Sequence, residues 1–478
     1  MREHKKYLAA LLALGMVFGT VGCGKSDSDK KKKDDSFVPT ENVEVADKED
    51  IASIKDLPED QRTLLYLGTA DLNPSRSNPE KSTEMTLFES KGGAIKFTQT
   101  AHLERFDKLA DAIMANKDVP DIFNYEWLSF PSQVVKDMYK PVDEIVDFDS
   151  PLWLGVKDTA DQFVLGGKHY VAPLTFVASS MLCYDKDVIE AEGLDDPYDM
   201  YVEGTWDWDA FRSLIEEYVG NAPADTERYG INGFFRQHFI QQTGKTMVNY
   251  DQDSGVFTSN LKDPDIEKGE QQLYEMMKSE LFYNDWVGSA RDAFKKGCLF
   301  YAMGDWAYTG NNSPKEGENW GIVPHPQYPD NPQKITTSDM KAFMWVRGSE
   351  KADAVKTWFE CCRTAYSDPE YQETNRQKFF ENNPYWTDEM YDVKMDVQSD
   401  DYKMIFDYAF GVSTALGDES GFDGNIKLVD ALYSYSSQIN DEGTQMTWTQ
   451  VREKYSATVE SELKTLNESI VEFNQKNS

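Results

Sequence analysis

The chain has 478 residues, a formal net charge of −35 at pH 7, and aromatic side chains at 13% of its positions. This acidity argues against a nucleic acid or another anionic polymer as partner, because phosphate binding needs clustered Lys and Arg side chains. The chain is too long for one hydrophobic core, so we expect two lobes.

The first 23 residues have the pattern of an export signal. A basic start is followed by an apolar run from Tyr7 to Gly22, which ends at Cys23. The run is short for a membrane span of ~20 residues, so we predict that residues 1–22 are removed as a signal peptide. A Cys at this place resembles the bacterial lipobox, in which the thiol receives lipid, although Thr20 stands where that motif usually has Leu. An ordinary secretory signal with an incidental Cys is the alternative, and either interpretation places the mature protein outside the cytoplasm.

Residues 23–60 are polar and have no periodic apolar pattern. They include the run KKKKDD at positions 30–35. Such a segment buries too little apolar surface to offset the entropy lost on ordering, so we predict a flexible tether. The lysine run could contact an anionic membrane surface, but a solvated spacer explains it equally well.

Strands and helices alternate after the tether. Short apolar runs predict strands at 63–67, 95–100 and 121–125, and apolar residues at helical spacing predict helices at 80–90 and 103–114. Connections this short between strand and helix imply parallel βαβ units, and hence a three-layer α/β lobe.

Later helices are predicted from capping residues and apolar stripes. Asp207, Asp263 and Ser349 are predicted N-caps, and a last helix is predicted over 448–473. Six further side chains are predicted to be small or aromatic core residues: Trp206, Trp208, Cys183, Cys298, Cys361 and Cys362.

Seven local sequences occur in order between residues 60 and 360. They are VPDIFNYEW (119–127), MYKPVDEI (138–145), GKHYVAP (167–173), LCYDKD (182–187), TWDWDAF (205–211), FKKG with AMGDW (294–306) and WGIVPHP (320–326). Together with the lipobox, this ordered set resembles the extracellular solute-binding proteins of ABC importers, in their carbohydrate-type family (family 1). Each motif is weak alone, and the order makes the resemblance specific.

The resemblance implies an α/β fold of the two-lobe, periplasmic-binding-protein-like type II, with a hinge and a ligand cleft. Lobe 1 is expected to comprise residues 61–173 and 341–385, and lobe 2 residues 174–340 and 386–478. The chain should cross the hinge near Pro173, near 338–341 and near Pro384. Ligand residues should lie on loops at the carboxyl ends of strands, where open α/β sheets bind their ligands.

The same resemblance points to residues that could bind a sugar. Sugars offer C–H faces that stack on aromatic rings, and hydroxyls that pair with Asp, Asn, Gln or Arg side chains. The candidate ligand-binding residues are Asp71, Trp127, Arg236, Asp305, Trp306, Asp339 and Asp423. A core position is the alternative for the two Trp residues, and a helix cap or turn is the alternative for the loop Asp residues. Where the family often has an acidic residue after the first hinge crossing, this chain has Thr175 and Phe176, so the identity of the sugar does not carry over.

Sequence motifs of catalysis are missing. A nucleophile elbow (GxSxG) and a zinc-binding HExxH are absent, and the five His residues are scattered without metal-ligand spacing. Residues 249–255 resemble a calcium-binding loop, but a turn between strands explains them better. A pair of glycosidase carboxylates stays open, since 84 acidic residues provide many pairs by chance. We expect a protein that is not an enzyme and that needs no metal or cofactor.

The sequence thus predicts a lipid-anchored protein on the extracellular face of the cell membrane. Its expected role is to capture a carbohydrate, most simply an oligosaccharide, and to deliver it as a monomer to the permease subunits of an ABC transporter. A binding protein for a peptide or another small solute is the main alternative, with a secreted carbohydrate-active enzyme or an adhesin ranked below it. Aromatic loops favour sugar over peptide, whose charged ends would need a polar capturing pocket.

Overall fold

The computed structural model of the protein describes residues 38–40, 51, 53–76, 79–177, 180–337, 340–399, 401–417, 428–433 and 443–477. The predicted signal peptide, Cys23 and most of the predicted tether lie outside these ranges, as do Asp339 and Asp423. The described residues form two compact units. Unit 1 comprises those within 1–123 and 345–372, and unit 2 those within 124–344, 373–418 and 426–478. The lobe boundaries expected from the sequence remain a prediction.

Strands and helices alternate along most of the described chain. The strands are β1 (Thr63–Gly68), β2 (Ala94–Gln99), β3 (Ile122–Asn124), β4 (Tyr139–Lys140), β5 (Val164–Leu165), β6 (Lys168–His169), β7 (Ala172–Phe176), β8 (Met181–Asp185), β9 (Tyr229–Gly233), β10 (Val248–Asp251), β11 (Val256–Ser259), β12 (Cys298–Met303), β13 (Trp320–Val323), β14 (Ile335–Thr337), β15 (Met340–Val346) and β16 (Lys403–Ile405). The helices are α1 (Thr83–Ser90), α2 (Arg105–Ala115), α3 (Ser132–Val135), α4 (Lys157–Ala160), α5 (Lys186–Glu192), α6 (Pro197–Glu203), α7 (Trp208–Gly220), α8 (Arg236–Gln241), α9 (Pro264–Lys278), α10 (Ala290–Lys295), α11 (Ala352–Ser367), α12 (Pro369–Asn382), α13 (Asp388–Val397), α14 (Ala409–Val412), α15 (Thr414–Gly417), α16 (Leu428–Tyr433) and α17 (Trp448–Asn477). No helix within the described ranges is long and apolar enough to span a membrane.

Unit 1 contains the parallel βαβ arrangement that the sequence predicts. β1 pairs in parallel with β2 from Thr63 opposite Ala94 onwards, and in parallel with β3 at Tyr66. Helices α1 and α11 pack on each other through Phe88 and Trp358, whose rings meet edge to face at 5.3 Å. Both predicted helix–strand alternations in this unit are confirmed.

A buried carboxylate joins the elements of unit 1. Asp121, which is 3% exposed, accepts a hydrogen bond from the backbone N–H of Leu65 at 2.7 Å and one from the hydroxyl of Ser349 at 2.6 Å. The Ser349 oxygen also accepts from the N–H of Lys351 at 3.2 Å, and α11 begins only at Ala352. The prediction that Ser349 caps this helix is therefore wrong, because the helix begins three residues later. The hydroxyl of Ser349 instead ties the segment before the helix to Asp121.

Helix α2 buries a different stripe from the one its apolar residues suggest. Leu103 and Met114 are 55% and 77% exposed, whereas Arg105 and Leu109 are buried. The helix begins at Arg105, after a separate 3₁₀ turn, and Asn116 ends it in the left-handed conformation at φ 48°. Leu103 lies in that turn, outside the helix, and Met114 is exposed in the last turn of the helix, so the apolar spacing across 103–114 does not mark one buried face.

The main sheet of unit 2 has the order β13–β8–β12–β9. β8 is antiparallel to both of its neighbours, and β9 is parallel to β12, so β9, β12 and β13 run in the same direction. One face of the sheet packs on a core that includes Tyr301, Trp386 and Met390. The opposite face packs on α7, where the rings of Phe300 and Phe211 lie 5.6 Å apart. Unit 2 therefore has helices on both faces of a mixed sheet.

Local signals predicted the helices of unit 2 correctly. Asp207 accepts from the N–H groups of Asp209 and Ala210 at 3.0 and 2.9 Å, and Asp263 accepts from Asp265 at 2.9 Å. Every residue on the predicted inner face of α7 is buried: Trp208, Phe211, Leu214, Ile215 and Tyr218. The core predictions are also confirmed for Trp206, Trp208, Cys183, Cys298, Cys361 and Cys362, all buried, with each of these Cys residues a free thiol.

The last helix, α17, packs along the hairpin formed by β10 and β11. Its buried residues follow the predicted stripe: Trp448, Val451, Val459, Leu463, Leu466, Ile470 and Phe473. On its flank, the side chain of Asn467 accepts from the N–H of Phe257 at 2.9 Å and donates to its carbonyl oxygen at 2.8 Å. The turn of the hairpin is closed by Asp251, which accepts from the N–H groups of Asp253 and Ser254 at 3.0 and 3.2 Å. The interpretation of 249–255 as a turn is confirmed.

His169, in β6, lies between two carboxylates of unit 2. Its Nδ1 is 2.6 Å from Oδ1 of Asp143 and its Nε2 is 2.9 Å from Oδ1 of Asp161. Burial works to lower the pKa of His169, but the hydrogen bonds and charges of the two carboxylates outweigh it and raise the pKa above its usual value. The imidazole therefore links two 3₁₀ turns to the β5–β6 hairpin, and the two carboxylates favour its protonated form.

Candidate functional site

Three strands of unit 2 have one of their ends on the same side of their sheet, and we call this row of strand ends the edge. In the parallel pair of β9 and β12, Gly233 lies opposite Ala302, and β12 ends one residue later at Met303. β8 runs in the opposite direction, so its first residue, Met181, lies opposite Met303 at the same edge. The residues that follow the parallel strands therefore meet there, where open α/β sheets commonly bind ligands.

Phe234 leaves this edge through a backbone turn that requires glycine. Gly233 has φ +100°, and a Cβ on it would lie 2.1 Å from the carbonyl oxygen of Ala302. The N–H of Phe234 donates to that oxygen at 2.7 Å, and the hydroxyl of Ser180 donates to the carbonyl oxygen of Phe234 at 3.1 Å. These bonds hold the backbone while the Phe234 side chain stays 42% exposed.

Trp286 packs beside Phe234, with ring centroids 5.5 Å apart and planes inclined by 40°. A buried amide holds the segment that carries Trp286. The Nδ2 of Asn232 donates to the carbonyl oxygens of Tyr283 and Asp285 at 2.6 and 3.0 Å. Because Asn232 belongs to β9 itself, one strand end positions both aromatic rings.

Arg236 begins α8 directly after Phe234 and Phe235, at the same edge. Its Nη2 donates to Oδ1 of Asn284 at 2.8 Å, and its guanidinium carbon lies 4.8 and 5.4 Å from the ring centroids of Phe235 and Phe282. Burial lowers the pKa of Arg236 to about 10, an effect that the charge of Glu270 partly offsets. The guanidinium therefore stays charged at neutral pH.

Asp305 and Trp306 follow β12 in a 3₁₀ turn, Asp305–Ala307, which also lies at this edge. Trp306 is 37% exposed, and its carbonyl oxygen accepts from Nδ2 of Asn312 at 3.0 Å. Oδ2 of Asp305 lies 3.2 Å from Nζ of Lys394. The sequence predicted both residues as ligand contacts, and the structure places them together with Arg236 at the ends of two adjacent strands.

We call Phe234, Trp286 and Trp306 the aromatic edge. Phe234 and Trp306 are among the exposed large hydrophobic side chains, and Trp286 is half-buried beside Phe234. The same strand ends also carry the N–H donors of Arg236 and a carboxylate oxygen of Asp305. Such a surface offers apolar ring area together with directional polar groups, a combination typical of small-molecule sites.

The other described candidates lie elsewhere. Asp71, in unit 1, is exposed and accepts from the N–H and the Nδ2 of Asn73 at 2.9 and 2.7 Å, which closes a turn after β1. Trp127, in unit 2, is half-buried, and its ring packs on Phe410 with centroids 4.7 Å apart. The ligand roles of both residues stay predictions, and so do those of Asp339 and Asp423, which lie outside the described residues.

Two members of the aromatic edge, Phe234 and Trp286, were not predicted from the sequence. Phe234 lies two residues before the predicted Arg236, and Trp286 lies two residues after Asn284, yet neither matches a family motif that the sequence shows. The pairing of β9 with β12 brings residues about 70 positions apart to one edge, and no local pattern encodes that pairing. The available signal was the pair of adjacent aromatic residues Phe234 and Phe235 directly after Gly233.

Two buried His residues stack close to the aromatic edge. The rings of His238 and His325 lie 5.1 Å apart with planes inclined by 27°. Nε2 of His325 is 3.0 Å from the hydroxyl of Ser180, and Nδ1 of His238 is hydrogen-bonded to the hydroxyl of Thr337. Burial lowers the pKa of His238 to about 3 and that of His325 well below its usual value. The pair is neutral at neutral pH and serves packing and hydrogen bonding.

A separate groove of about 520 Å³ lies between β11 and α17, lined in part by Val256, Phe257, Leu463 and Val471. None of the candidate ligand residues lines this groove, so it is a different site from the aromatic edge. Among the residues that the structure describes, no group of three or more His, Cys, Asp or Glu side chains is placed to hold a metal ion.

Comparison with protein families identifies the chain. The family described as bacterial extracellular solute-binding protein matches residues 80–367, which is more than half of the sequence. The chain belongs to this family. As a family member, this solute-binding protein acts outside the cytoplasm, and the resemblance drawn from its ordered motifs is confirmed. Comparison with curated proteins gives no match.

Solved structures of similar fold include three proteins that were determined in complex with a sugar or with acarbose. An ABC substrate-binding protein from Listeria monocytogenes, in complex with cycloalternan, is 15% identical, with 86% of this chain and 99% of that chain covered and a TM-score of 0.54. The GacH receptor of Streptomyces glaucescens, solved unliganded and with acarbose, is 14% identical (84% and 99% covered, TM-score 0.55). The galacto-N-biose-/lacto-N-biose I-binding protein of Bifidobacterium longum, in complex with lacto-N-biose, is 9% identical (85% and 98% covered, TM-score 0.57). The solute-binding protein thus has the expected α/β fold of the two-lobe periplasmic binding proteins.

Proposed function

We propose that this solute-binding protein captures a carbohydrate, specifically an oligosaccharide, and delivers it to the permease of an ABC transporter. The observation that carries the proposal is the aromatic edge, where Phe234, Trp286 and Trp306 follow neighbouring strands. The family resemblance supplies the transporter as partner and the predicted cleft as the place of binding. Neighbours of similar fold are described in complex with sugars, which supports the same ligand class.

Aromatic rings suit a sugar for a physical reason. The axial C–H groups of a pyranose form an apolar face, which stacks on a ring and removes both surfaces from water. The hydroxyls at the rim of the sugar then need hydrogen-bond partners, and a site that leaves them unpaired loses affinity. Arg236 offers N–H donors, and Asp305 offers a carboxylate, at the same strand ends as the rings.

The separation of the rings along the edge supports more than one sugar unit. Phe234 and Trp286 form one pair with centroids 5.5 Å apart, whereas Trp306 stands after the adjacent strand. Two aromatic platforms at different strand ends can hold two sugar rings at once. A monosaccharide would use one platform and gain less from the second.

The proposal includes an anchor at Cys23, because the apolar run before it ends as a lipobox does. Lipid on this residue would keep the protein on the extracellular face of the cell membrane, with residues 23–60 as a tether. A tethered binding protein stays close to its permease, so each captured solute has a short distance to travel.

A thermal-shift series on the purified protein tests the ligand class. Maltotetraose, cycloalternan, lacto-N-biose and tagatose are compared with a mixture of tri- and tetrapeptides. A ligand that binds only the folded protein stabilises it, by about 2.7 kcal/mol of unfolding free energy at a concentration one hundred times its dissociation constant. The melting temperature rises as a result. We expect a shift with an oligosaccharide and none with tagatose or peptides. A shift with peptides alone would overturn the carbohydrate assignment.

A further inference from the structure

The segment that carries Trp306 is held by residues from a distant part of the chain. Residues 305–312 contain two 3₁₀ turns, Asp305–Ala307 and Gly310–Asn312, and neither has a side-chain cap at its start. Short turns of this kind have poor hydrogen-bond geometry and depend on their surroundings. The surroundings are supplied by the connection between α12 and α13 and by α13 itself.

Asn383 provides the first contact. Its side chain is buried, with 4% of the residue exposed, and its Oδ1 accepts from the N–H of Gly310 at 2.7 Å. Its Nδ2 donates to the carbonyl oxygen of Phe379 at 2.8 Å. Both ends of the amide are used, so it joins the end of α12 to the second turn in one orientation.

Trp386 provides the second contact. Its indole N–H donates to the carbonyl oxygen of Tyr308 at 3.0 Å, and its ring stacks on that of Tyr308 with centroids 5.9 Å apart and planes inclined by 28°. Tyr308 is buried two residues after Trp306, whereas Trp306 is the exposed member of the two. Anchoring Tyr308 inwards therefore directs Trp306 outwards.

Lys394 provides the third contact. Its side chain is only 12% exposed, and its ammonium lies 3.2 Å from Oδ2 of Asp305, the residue before Trp306. The ammonium is largely shielded from water and the Asp305 side chain is 34% exposed, so the pair constrains Asp305 more than a fully exposed pair would.

We propose that Asn383, Trp386 and Lys394 form a brace that positions Trp306 for the ligand, an inference that rests on the proposed function. None of the three residues is proposed to touch the sugar. They hold Asp305, Tyr308 and Gly310 and so determine where the intervening ring points. Binding sites depend on such supporting contacts, because a ring displaced by about 1 Å loses much of its stacking.

A double-mutant cycle between Lys394 and Trp306 tests the brace. The variants are Lys394→Met, Trp306→Ala and the two combined, each measured by calorimetric titration with maltotetraose, cycloalternan or lacto-N-biose, whichever binds the wild type most tightly. We expect Lys394→Met to weaken binding at least about threefold in the wild type and to have a clearly smaller effect once Trp306 is absent, when only the contact made by Asp305 can still change. Lys394→Arg should restore most of the affinity, because it keeps the positive charge near Asp305.

A matched control separates positioning from general loss of stability. Lys186 forms a comparable ion pair with Glu389 of the same helix, α13, with a similarly shielded ammonium. Lys186→Met should therefore lower the melting temperature about as much as Lys394→Met while leaving the affinity within about twofold of the wild type.

The outcomes distinguish this inference from the proposed function. If Trp306→Ala weakens binding but Lys394→Met has no effect, or has the same effect with and without Trp306, the brace is wrong and the aromatic edge stands. If none of the sugars binds the wild type, or if Trp306→Ala leaves binding unchanged, the role given to Trp306 fails and the brace fails with it.

Discussion

The backbone N–H of Phe234 donates to the carbonyl oxygen of Ala302 at 2.7 Å, across the ends of two parallel strands. This bond places the first residue after β9 against the last residues of β12. Trp306 follows four positions after Ala302 along the chain. The two exposed rings therefore belong to one sheet edge, although their residues are more than 70 positions apart.

Replacing Trp306 with Ala should reduce sugar affinity far more than it reduces stability. Loss of an anchor ring commonly costs about 2 kcal/mol of binding, which is about thirtyfold in dissociation constant. Because Trp306 is 37% exposed, the melting temperature should change little. Calorimetric titration and thermal unfolding of the same sample measure both quantities.

Trp206 is the matched control for that substitution. It is 3% exposed, and its indole N–H donates to the carbonyl oxygen of Pro324 at 2.9 Å. Trp206→Ala should cost about 3 kcal/mol or more of unfolding free energy, because it leaves a cavity in the core. If Trp306→Ala destabilised the fold equally and spared affinity, Trp306 would be a packing residue.

The neutral pair of His238 and His325 should make the protein less stable in mild acid. Burial lowers the pKa of His238 to about 3, whereas an unfolded His titrates near 6.5. As the pH falls below about 6.5, the two His residues take up protons in the unfolded state, whereas they stay neutral in the folded state. The free energy of unfolding should then fall by up to about 1.4 kcal/mol per pH unit for each residue.

Urea unfolding of the wild type and of the double variant His238→Asn, His325→Asn, at intervals from pH 7 to pH 4.5, measures this effect. The double variant should be less stable at pH 7 and should lose less further stability on acidification. Equal pH slopes in the two proteins would show that the pair does not stay neutral in the folded state.

His169 should have the opposite pH dependence. Asp143 and Asp161 raise its pKa, so the folded state holds the proton more tightly than the unfolded state. The stabilisation is fully present below the unfolded pKa of about 6.5, and it is lost as the pH rises through the higher folded pKa. Both carboxylates are about 40% exposed, so screening by water limits the effect to about 1 kcal/mol.

Titration of the His169 imidazole by NMR checks this directly, with an expected midpoint above 6.5. His169→Gln should reduce the free energy of unfolding at pH 6 and have a smaller effect at pH 9. A midpoint at or below 6.5 would mean that the two carboxylates do not hold the cation.

Cys23→Ser should release the protein from the membrane. The predicted lipid attachment needs the thiol of Cys23, and a hydroxyl cannot replace it in the lipobox. Fractionation of cells that express the wild type and the variant, followed by immunodetection, measures the membrane-bound fraction. The control substitutes the Lys residues of 30–33 with Gln, which removes any attraction to anionic lipids. Retention of Cys23→Ser at the membrane, with release of the Gln variant, would assign the attachment to the lysine run.

Local chemistry decided which parts of the fold could be predicted. Asp207 and Asp263 cap their helices as expected, because an N-cap depends on a carboxylate and the backbone within three residues of it. Ser349 is not the cap, because the helix begins only at Ala352, and its hydroxyl instead donates to Asp121, more than 200 positions away. A competing partner at that distance leaves no trace in the local pattern.

The candidate site shows the same division. The place of Asp305 and Trp306 directly after a strand could be predicted, because both lie inside a motif that ends a strand, whereas their ligand roles stay predictions. Lys394 and Asn383 could not, because their partners depend on how α13 packs against the sheet. Asp71 remains an expected contact, and its bonds to Asn73 show why a loop Asp is a weak signal: the same carboxylate that could accept a hydroxyl also closes a turn.

Asn467 has a consequence for how the protein behaves among its own copies. Within the part of the chain that the structure describes, strand β11 pairs with β10 on one side only, and an uncovered strand edge is a template on which another chain can add. The amide of Asn467 presents one acceptor and one donor to Phe257, the same two groups that a neighbouring strand would present. Asn467 thus occupies the groups of Phe257 that a second strand would need, and we expect its loss to favour association between copies rather than to alter what the protein binds.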